Sequence, residues 1–341
     1  MYQRLLLTLI PLSFVLHAID VDPRIVFVVS LSAIVPLIEF MGIATERLSK
    51  RLGSVVGGLL NSTLSNAPEL IIGIVALRNG LGRVVKASLT GSIMVNLLVG
   101  LGCALVVGGL KYGLHSFDRR QFRSSGLMLV MCGFCFIVPA VFRIGTPEGT
   151  RDLSLELSAI LLVIYVGNVL ISLLNSQHHV EDATPILNGD KESYSALRSL
   201  AVLGLSGVML AFVSESVTES LIPATRVMGF SDTFSGIVLL GGVGGIGEVL
   251  TAVRFARQGK QELVMAATVG STIQMVLFVA PLLVFTGLFL GQQMNLSFSM
   301  FEVVSIVLSI IIAREIINAG EATWMEGLLL LATYLILAIG F

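Results

Sequence analysis

The chain has 341 residues, of which 55% are hydrophobic and only 13% charged, with a formal net charge of −1. A soluble domain carries about 25% charged residues, so this composition excludes an ordinary soluble fold and makes the lipid bilayer the surrounding partner. The near-neutral balance also excludes a nucleic-acid binder, which needs a basic patch.

Apolar runs separated by charged or Pro/Gly breaks predict an all-α polytopic membrane protein with about eleven transmembrane helices. The runs cover 4–19, 24–46, 54–78, 83–110, 123–143, 153–175, 195–221, 233–257, 261–290, 296–315 and 321–341. The first ends in Asp20-Val21-Asp22-Pro23 rather than a small-residue cleavage site, so it reads as a retained helix and not a secretory signal. Cys103, Cys132 and Cys135 lie inside apolar runs and read as small filler, with no disulfide framework. Loop charge sets the orientation. With the N-terminus in the cytoplasm, fourteen of the 21 Lys and Arg residues fall on the cytoplasmic side, among them Arg47, Lys50, Arg51, Arg119 and Lys260. The C-terminus then lies outside. Without a long N-terminal regulatory tail, the chain reads as a multi-pass protein of a prokaryotic plasma membrane.

The third and eighth runs carry two related segments. Gly57-Gly-Leu-Leu-Asn61 leads to Asn66-Ala-Pro-Glu69, and Gly236 leads through a glycine-rich stretch to Glu248. Each is followed about 22 residues later by Gly-Ser, at Gly91-Ser92 and Gly270-Ser271. Five spans separate the two segments, an odd number, so they cross the membrane in opposite directions. The implied plan is an N-terminal helix (1–22), a five-helix repeat (23–177), a short cytoplasmic linker (178–194) and a second, inverted five-helix repeat (195–341). Transporters of this plan bind substrate at the midplane, where the repeats meet.

A carboxylate at bilayer depth costs about 2.5–3.5 kcal/mol on insertion scales. Two at matching offsets therefore point to a paired ion site at Glu69 and Glu248. On the third helix Asn61, Ser65 and Glu69 share a face, with Asn66 close by. Pro68 removes a backbone donor and frees carbonyls a turn earlier. The glycines before Glu248 permit a bend by another route. Backbone carbonyls at Ser65, Gly244 and Gly245 thus become ligands. The neighbouring helices add uncharged oxygens: Ser92 and Asn96 on the fourth, Ser271 and Gln274 on the ninth, with Thr268 and Thr272 nearby. Serine and threonine in membrane helices commonly bond their own backbone instead; here they accompany the glutamates at matching offsets. No His or Cys lies near either motif, so the set suits a hard cation such as Ca²⁺, which takes about 6–8 oxygens. Two carboxylates in one dehydrated place repel, so protons replace the cation when it leaves. That competition is sufficient for antiport.

Other acids lie in apolar runs. Glu39 and Glu215 read as deep groups for proton or ion access. Glu46 and Glu219, each after a threonine, read as caps at helix ends. Glu302 and Glu326 read as structural partners of Ser, Thr or Trp324.

Together these residues resemble the calcium/cation antiporter superfamily, most closely its Ca²⁺/H⁺ exchanger branch. The resemblance runs through Pro36-Leu-Ile-Glu39, Ala44-Thr-Glu46, Asn66-Ala-Pro-Glu69-Leu, Val213-Ser-Glu215, Gly270-Ser-Thr-Ile-Gln274, Leu277-Phe-Val-Ala-Pro281 and Trp324-Met-Glu326-Gly327. It implies two inverted five-helix repeats and central acids at Glu69 and Glu248. It also implies ligands at Asn66 and nearby carbonyls, with Ser92, Ser271 and Gln274 lining the path. By the same carry-over Glu39, Glu46, Glu215 and Glu219 sit on a sliding helix pair that gates access. The chain departs from the family pattern where Asn is replaced by Gly245, where Val249 follows the second glutamate, and at Val95, a position commonly small and polar. The acidic linker segment is sparse, with Glu181, Asp182, Asp190 and Glu192. The expected activity is secondary Ca²⁺/H⁺ antiport without a cofactor. Exchange of Na⁺, another monovalent ion or Mn²⁺ is the alternative, and a membrane-embedded hydrolase or receptor is a distant one. No G-x-x-x-x-G-K-[ST] loop is present, so a gradient and not a nucleotide supplies the energy. Homo-oligomer formation stays open.

Overall fold

The structure, a computed structural model, describes residues 2–19, 21–51, 63–142, 147–176, 196–292 and 294–341. Asn61, the glycines at 57 and 58, and the linker with its four acids lie outside the described residues.

In lipid the backbone must satisfy its own hydrogen bonds, and a helix does so within one segment. The apolar runs accordingly become helices: α1 (Tyr2–Ala18), α2 (Pro23–Arg51), α3 (Ala67–Arg78), α4 (Gly82–Tyr112), α5 (Arg119–Val141), α6 (Pro147–Ser176) and α7 (Ala196–Met228). After these come α8, in two arms (Asp232–Gly244 and Ile246–Arg257), α9 (Gln261–Phe289), α10 (Met300–Ala319) and α11 (Trp324–Gly340). Among the described residues six helices are long and apolar enough to cross a membrane, and seven if the bent α8 is one span. The predicted ends shift by a few residues. The largest shift at a C-terminal end is in α7, which continues through Pro223 to Met228. A feature absent from the helical reading is a two-residue antiparallel ladder, His115–Ser116 with Glu321–Ala322, which ties the α4–α5 loop to the α10–α11 loop.

Glu302 and Glu326 have the structural role expected of them. Each closes a capping box at the start of its helix: Glu302 accepts from the Ser299 backbone N–H at 2.8 Å, and Glu326 from that of Thr323 at 2.8 Å. The capped start moves α10 from the expected residue 296 to Met300.

Two apolar cores form. One joins α1, α2 and α7 through Phe27, Ile34 and Leu37 against Leu210, Val213 and Val217. The larger one gathers α4, α5, α9, α10 and α11 around Leu98, Leu129, Met275, Ile306 and Leu330. Helices α3 and α8 lie between them, in contact with members of both. Side chains such as Leu197, Val163, Ile336 and Phe289 point outward and are exposed, as a lipid-facing surface requires.

The crossing of α4 and α8 is unusually close. A Cβ on Gly241 would lie 2.6 Å from the Gly91 Cα, and a Cβ on Gly91 would strike the Ile237 carbonyl. Only glycine at both positions lets the two backbones touch, and this contact positions the next turn of each helix over the site.

Candidate functional site

Both motif helices break three residues before their glutamate. Asn66 leaves the helical conformation (φ −93°, ψ 9°), and Ala67 restarts the helix with Pro68 in its first turn. Gly245 does the same (φ −77°, ψ 3°), and the two arms of α8 meet at 47°. In each case the break residue's carbonyl accepts the first bond of the new helix, Leu70 N–H to Asn66 at 3.2 Å and Val249 N–H to Gly245 at 3.1 Å. Glu69 and Glu248 therefore sit in the first turns of short helices, where the helix dipole favours a negative charge.

The two glutamates come together. Both are buried, at 7% and 8% exposure, and their carboxylates are near enough to repel each other. Ser271 Oγ lies 3.1 Å from Asn66 Oδ1 and 3.4 Å from Glu248 Oε1, so its single proton serves one of them at a time. Asn66 Nδ2 donates to Gln274 Oε1 at 2.9 Å. Asn66 at the start of α3 thus bonds two residues of α9 across the site. On the other side Ser92 donates to the Gly241 carbonyl at 3.5 Å. A Cβ on Gly244 would lie 3.3 Å from Ser92 Oγ and 3.6 Å from Glu69 Cγ. Asn96 is fully buried, and its Oδ1 would be 3.2 Å from a Cβ on Gly245. Ser65 is half-buried just before the break.

Both Glu69 oxygens and both polar atoms of Asn96 are buried without a hydrogen-bond partner among the described residues. Leaving such groups unpaired costs about 1–3 kcal/mol each. A hard cation or a proton would satisfy them, so the donor set fits an ion as cargo. Among the described residues no group of three or more His, Cys, Asp or Glu gathers. A cleft lined by Ile72, Val84, Ser88, Leu89, Ser92 and Leu283 reaches Glu69.

The acids expected to serve access lie on α2 and α7. Glu39 and Glu215 are half-buried on α2 and α7, while Glu46 and Glu219 are exposed. Glu219 is a partner rather than a cap: its Oε2 is 3.1 Å from His17 Nε2, which ties α1 to α7. Sequence reasoning also missed two supports. Asn79 donates to Thr218 Oγ1 at 2.8 Å and fastens the end of α3 to α7. The Tyr165 hydroxyl meets Thr63 Oγ1 at 2.9 Å, while its ring stacks on Phe278. These contacts join residues far apart in the chain, and no local pattern marks them.

The fold and these two breaks define a membrane protein with a buried glutamate pair between two helix groups. The profile of the sodium/calcium exchanger protein family matches residues 24–174 and 198–341, and the chain belongs to that family. It is 36% identical to a Ca²⁺/H⁺ antiporter of Aphanothece halophytica, over 98% of this chain and 95% of that one. It is 34% identical to the Ca²⁺/H⁺ antiporter ChaA of Bacillus subtilis (strain 168), over 97% and 96%. The solved structure of native YfkE superposes with a TM-score of 0.88 at 32% identity, covering 100% of this chain and 99% of that one. The H⁺/Ca²⁺ exchanger CAX superposes with a TM-score of 0.79 at 15% identity, covering 100% and 88%, a likeness of fold alone.

Proposed function

We propose that the chain is a secondary antiporter, not an enzyme, that exchanges Ca²⁺ for H⁺ by alternating access. Cation and protons compete for Glu69 and Glu248. The observation that carries this reading is the convergence of two buried glutamates, each just after a helix break, with Ser271 between Glu248 and Asn66. Asn66, Gln274, Ser271, Ser92 and Asn96 supply neutral oxygens, and carbonyls near Ser65, Gly244 and Gly245 complete the shell. The named activity of the relatives supports the choice of ions.

The membrane plan belongs to the same reading. Eleven spans comprise an N-terminal helix (1–22) and two inverted repeats (23–177 and 195–341) joined by a cytoplasmic linker. The N-terminus is cytoplasmic and the membrane is a prokaryotic plasma membrane. Matching breaks at Asn66 and Gly245 support the inversion. The packing of α2 along α7 supports their motion as a pair, with Glu39, Glu46, Glu215 and Glu219 on it.

In everted vesicles with an imposed proton gradient, Ca²⁺ uptake should vanish in Glu69→Gln and in Glu248→Gln and should not need ATP. Normal uptake in both variants would remove the site. A second reading, exchange of Na⁺ or another monovalent ion, is favoured by Gly245, which contributes no side-chain oxygen. Proton efflux on adding Na⁺, K⁺, Ca²⁺ or Mn²⁺ in turn separates the two, and a response to Na⁺ alone would select the second.

A further inference from the structure

The two halves of the site follow one plan but differ at a pair of positions that touch. Asn66 and Gly245 each stand three residues before their glutamate, and Val95 and Gln274 each stand 26 residues after it. In one half Asn66 donates to Gln274 at 2.9 Å. The mirrored pair is Gly245 and Val95, and it is in contact as well: a Cβ on Gly245 would lie 3.0 Å from Val95 Cγ1. One diagonal of the site is an amide pair. The other is a glycine covered by a methyl group.

We propose that the Val95–Gly245 contact is a specificity-determining element. It holds a divalent cation off-centre, against Glu248, Asn66, Ser271 and Gln274, and relaxes the preference for Ca²⁺ over smaller six-coordinate ions such as Mn²⁺. This inference rests on the reading of the glutamate pair as the cation site.

Val95 is buried at 3% exposure and offers no oxygen. Gly245 offers only its carbonyl, which already accepts from the Val249 N–H at 3.1 Å. Asn96 walls the same space, and its amide has no hydrogen-bond partner among the described residues. Ca²⁺ uses about 6–8 oxygens in a flexible shell, whereas an octahedral ion is complete at about six. Withdrawing oxygens from one side therefore weakens Ca²⁺ more than the smaller ion. The touching backbones at Gly91 and Gly241 press the next turns together, so an Asn at 245 has no room while Val95 stands.

The test uses full-length protein in liposomes and the concentrations of Ca²⁺ and Mn²⁺ that half-inhibit radiolabelled Ca²⁺ uptake. Val95→Thr replaces a methyl by a hydroxyl with almost no change of volume. It should move the ratio toward Ca²⁺ by about 3- to 10-fold, equivalent to one added weak ligand. The double variant V95S/G245N, in which the smaller serine frees the space that the new amide fills, should move it further in the same direction. G245N alone overpacks the contact and should lower the yield of folded protein. If Glu69→Gln and Glu248→Gln still transport, the paired-glutamate reading falls and this inference with it. If those two are dead while Val95→Thr, folded by gel filtration, leaves the ratio unchanged, the inference alone is overturned.

Discussion

Ser271 is the hinge between the two halves of the site, and its removal gives the sharpest prediction. Its hydroxyl reaches Asn66 Oδ1 at 3.1 Å and Glu248 Oε1 at 3.4 Å. A hydrogen bond to a charged group contributes about 1.5–3 kcal/mol. The longer contact is to the carboxylate, so the lower end of that range applies. Ser271→Ala should then weaken Ca²⁺ affinity by about 10-fold. Ser92 stands at the matching offset, yet among the described residues its hydroxyl reaches the Gly241 carbonyl at 3.5 Å and neither glutamate. A contact that long contributes little, so Ser92→Ala should change affinity by less than about three-fold. Both follow from the Ca²⁺ dependence of proton-driven uptake in liposomes, with calorimetric binding as a check. Equal losses in the two variants, or none in Ser271→Ala, would refute the reasoning, because symmetry of sequence and not of contacts would then be in control.

Gly241→Ala would drive a methyl group into the Gly91 backbone and part α4 from α8. Overpacking of this kind costs about 1–3 kcal/mol or more, so a clear drop in melting temperature by size-exclusion thermostability is expected. Ser299→Ala removes the α10 capping box. It should lower stability by about 1 kcal/mol and leave ion affinity unchanged in the same liposome assay. Asp22 is exposed, and its hydrogen bonds from Arg24 hold its carboxyl at about 2. A depressed carboxyl contributes above its unfolded value, about 3.9, and that contribution is lost as pH falls through the folded value. The group is thus fully ionised near neutrality, and Asp22→Asn should leave the pH profile of transport between about pH 6 and 8 unaltered.

How much of this was legible before the structure depends on the range of the interaction. The eleven apolar runs, the two glutamates and the Ser and Gln partners are written in local composition and spacing, and the structure gathers them. Glu302 and Glu326 were readable too, because a capping box spans only three residues. Glu219 was misread as a helix cap, since its partner His17 lies on another helix and no periodicity links them. The same limit hid Tyr165 with Thr63 and Asn79 with Thr218. The two-residue ladder was invisible for a different reason: a pair so short has no alternating pattern to detect.

The matching breaks are reached by different chemistry. In α3 a proline in the first turn cannot donate, so the preceding helix cannot continue through it. In α8 no proline is present, and a glycine run lets the chain turn at Gly245 without a side chain to oppose it. Both routes leave a glutamate in the first turn of a new helix. The proline route keeps Asn66, whose amide then bridges to Gln274 and Ser271. The glycine route gives up that amide, and Val95 closes over the space. The backbone break is therefore alike in α3 and α8 while the side chains around it are not. Asn66 is bonded to Gln274 and Ser271 on one side of the breaks, while on the other Glu69 and Asn96 keep side-chain polar atoms with no hydrogen-bond partner among the described residues.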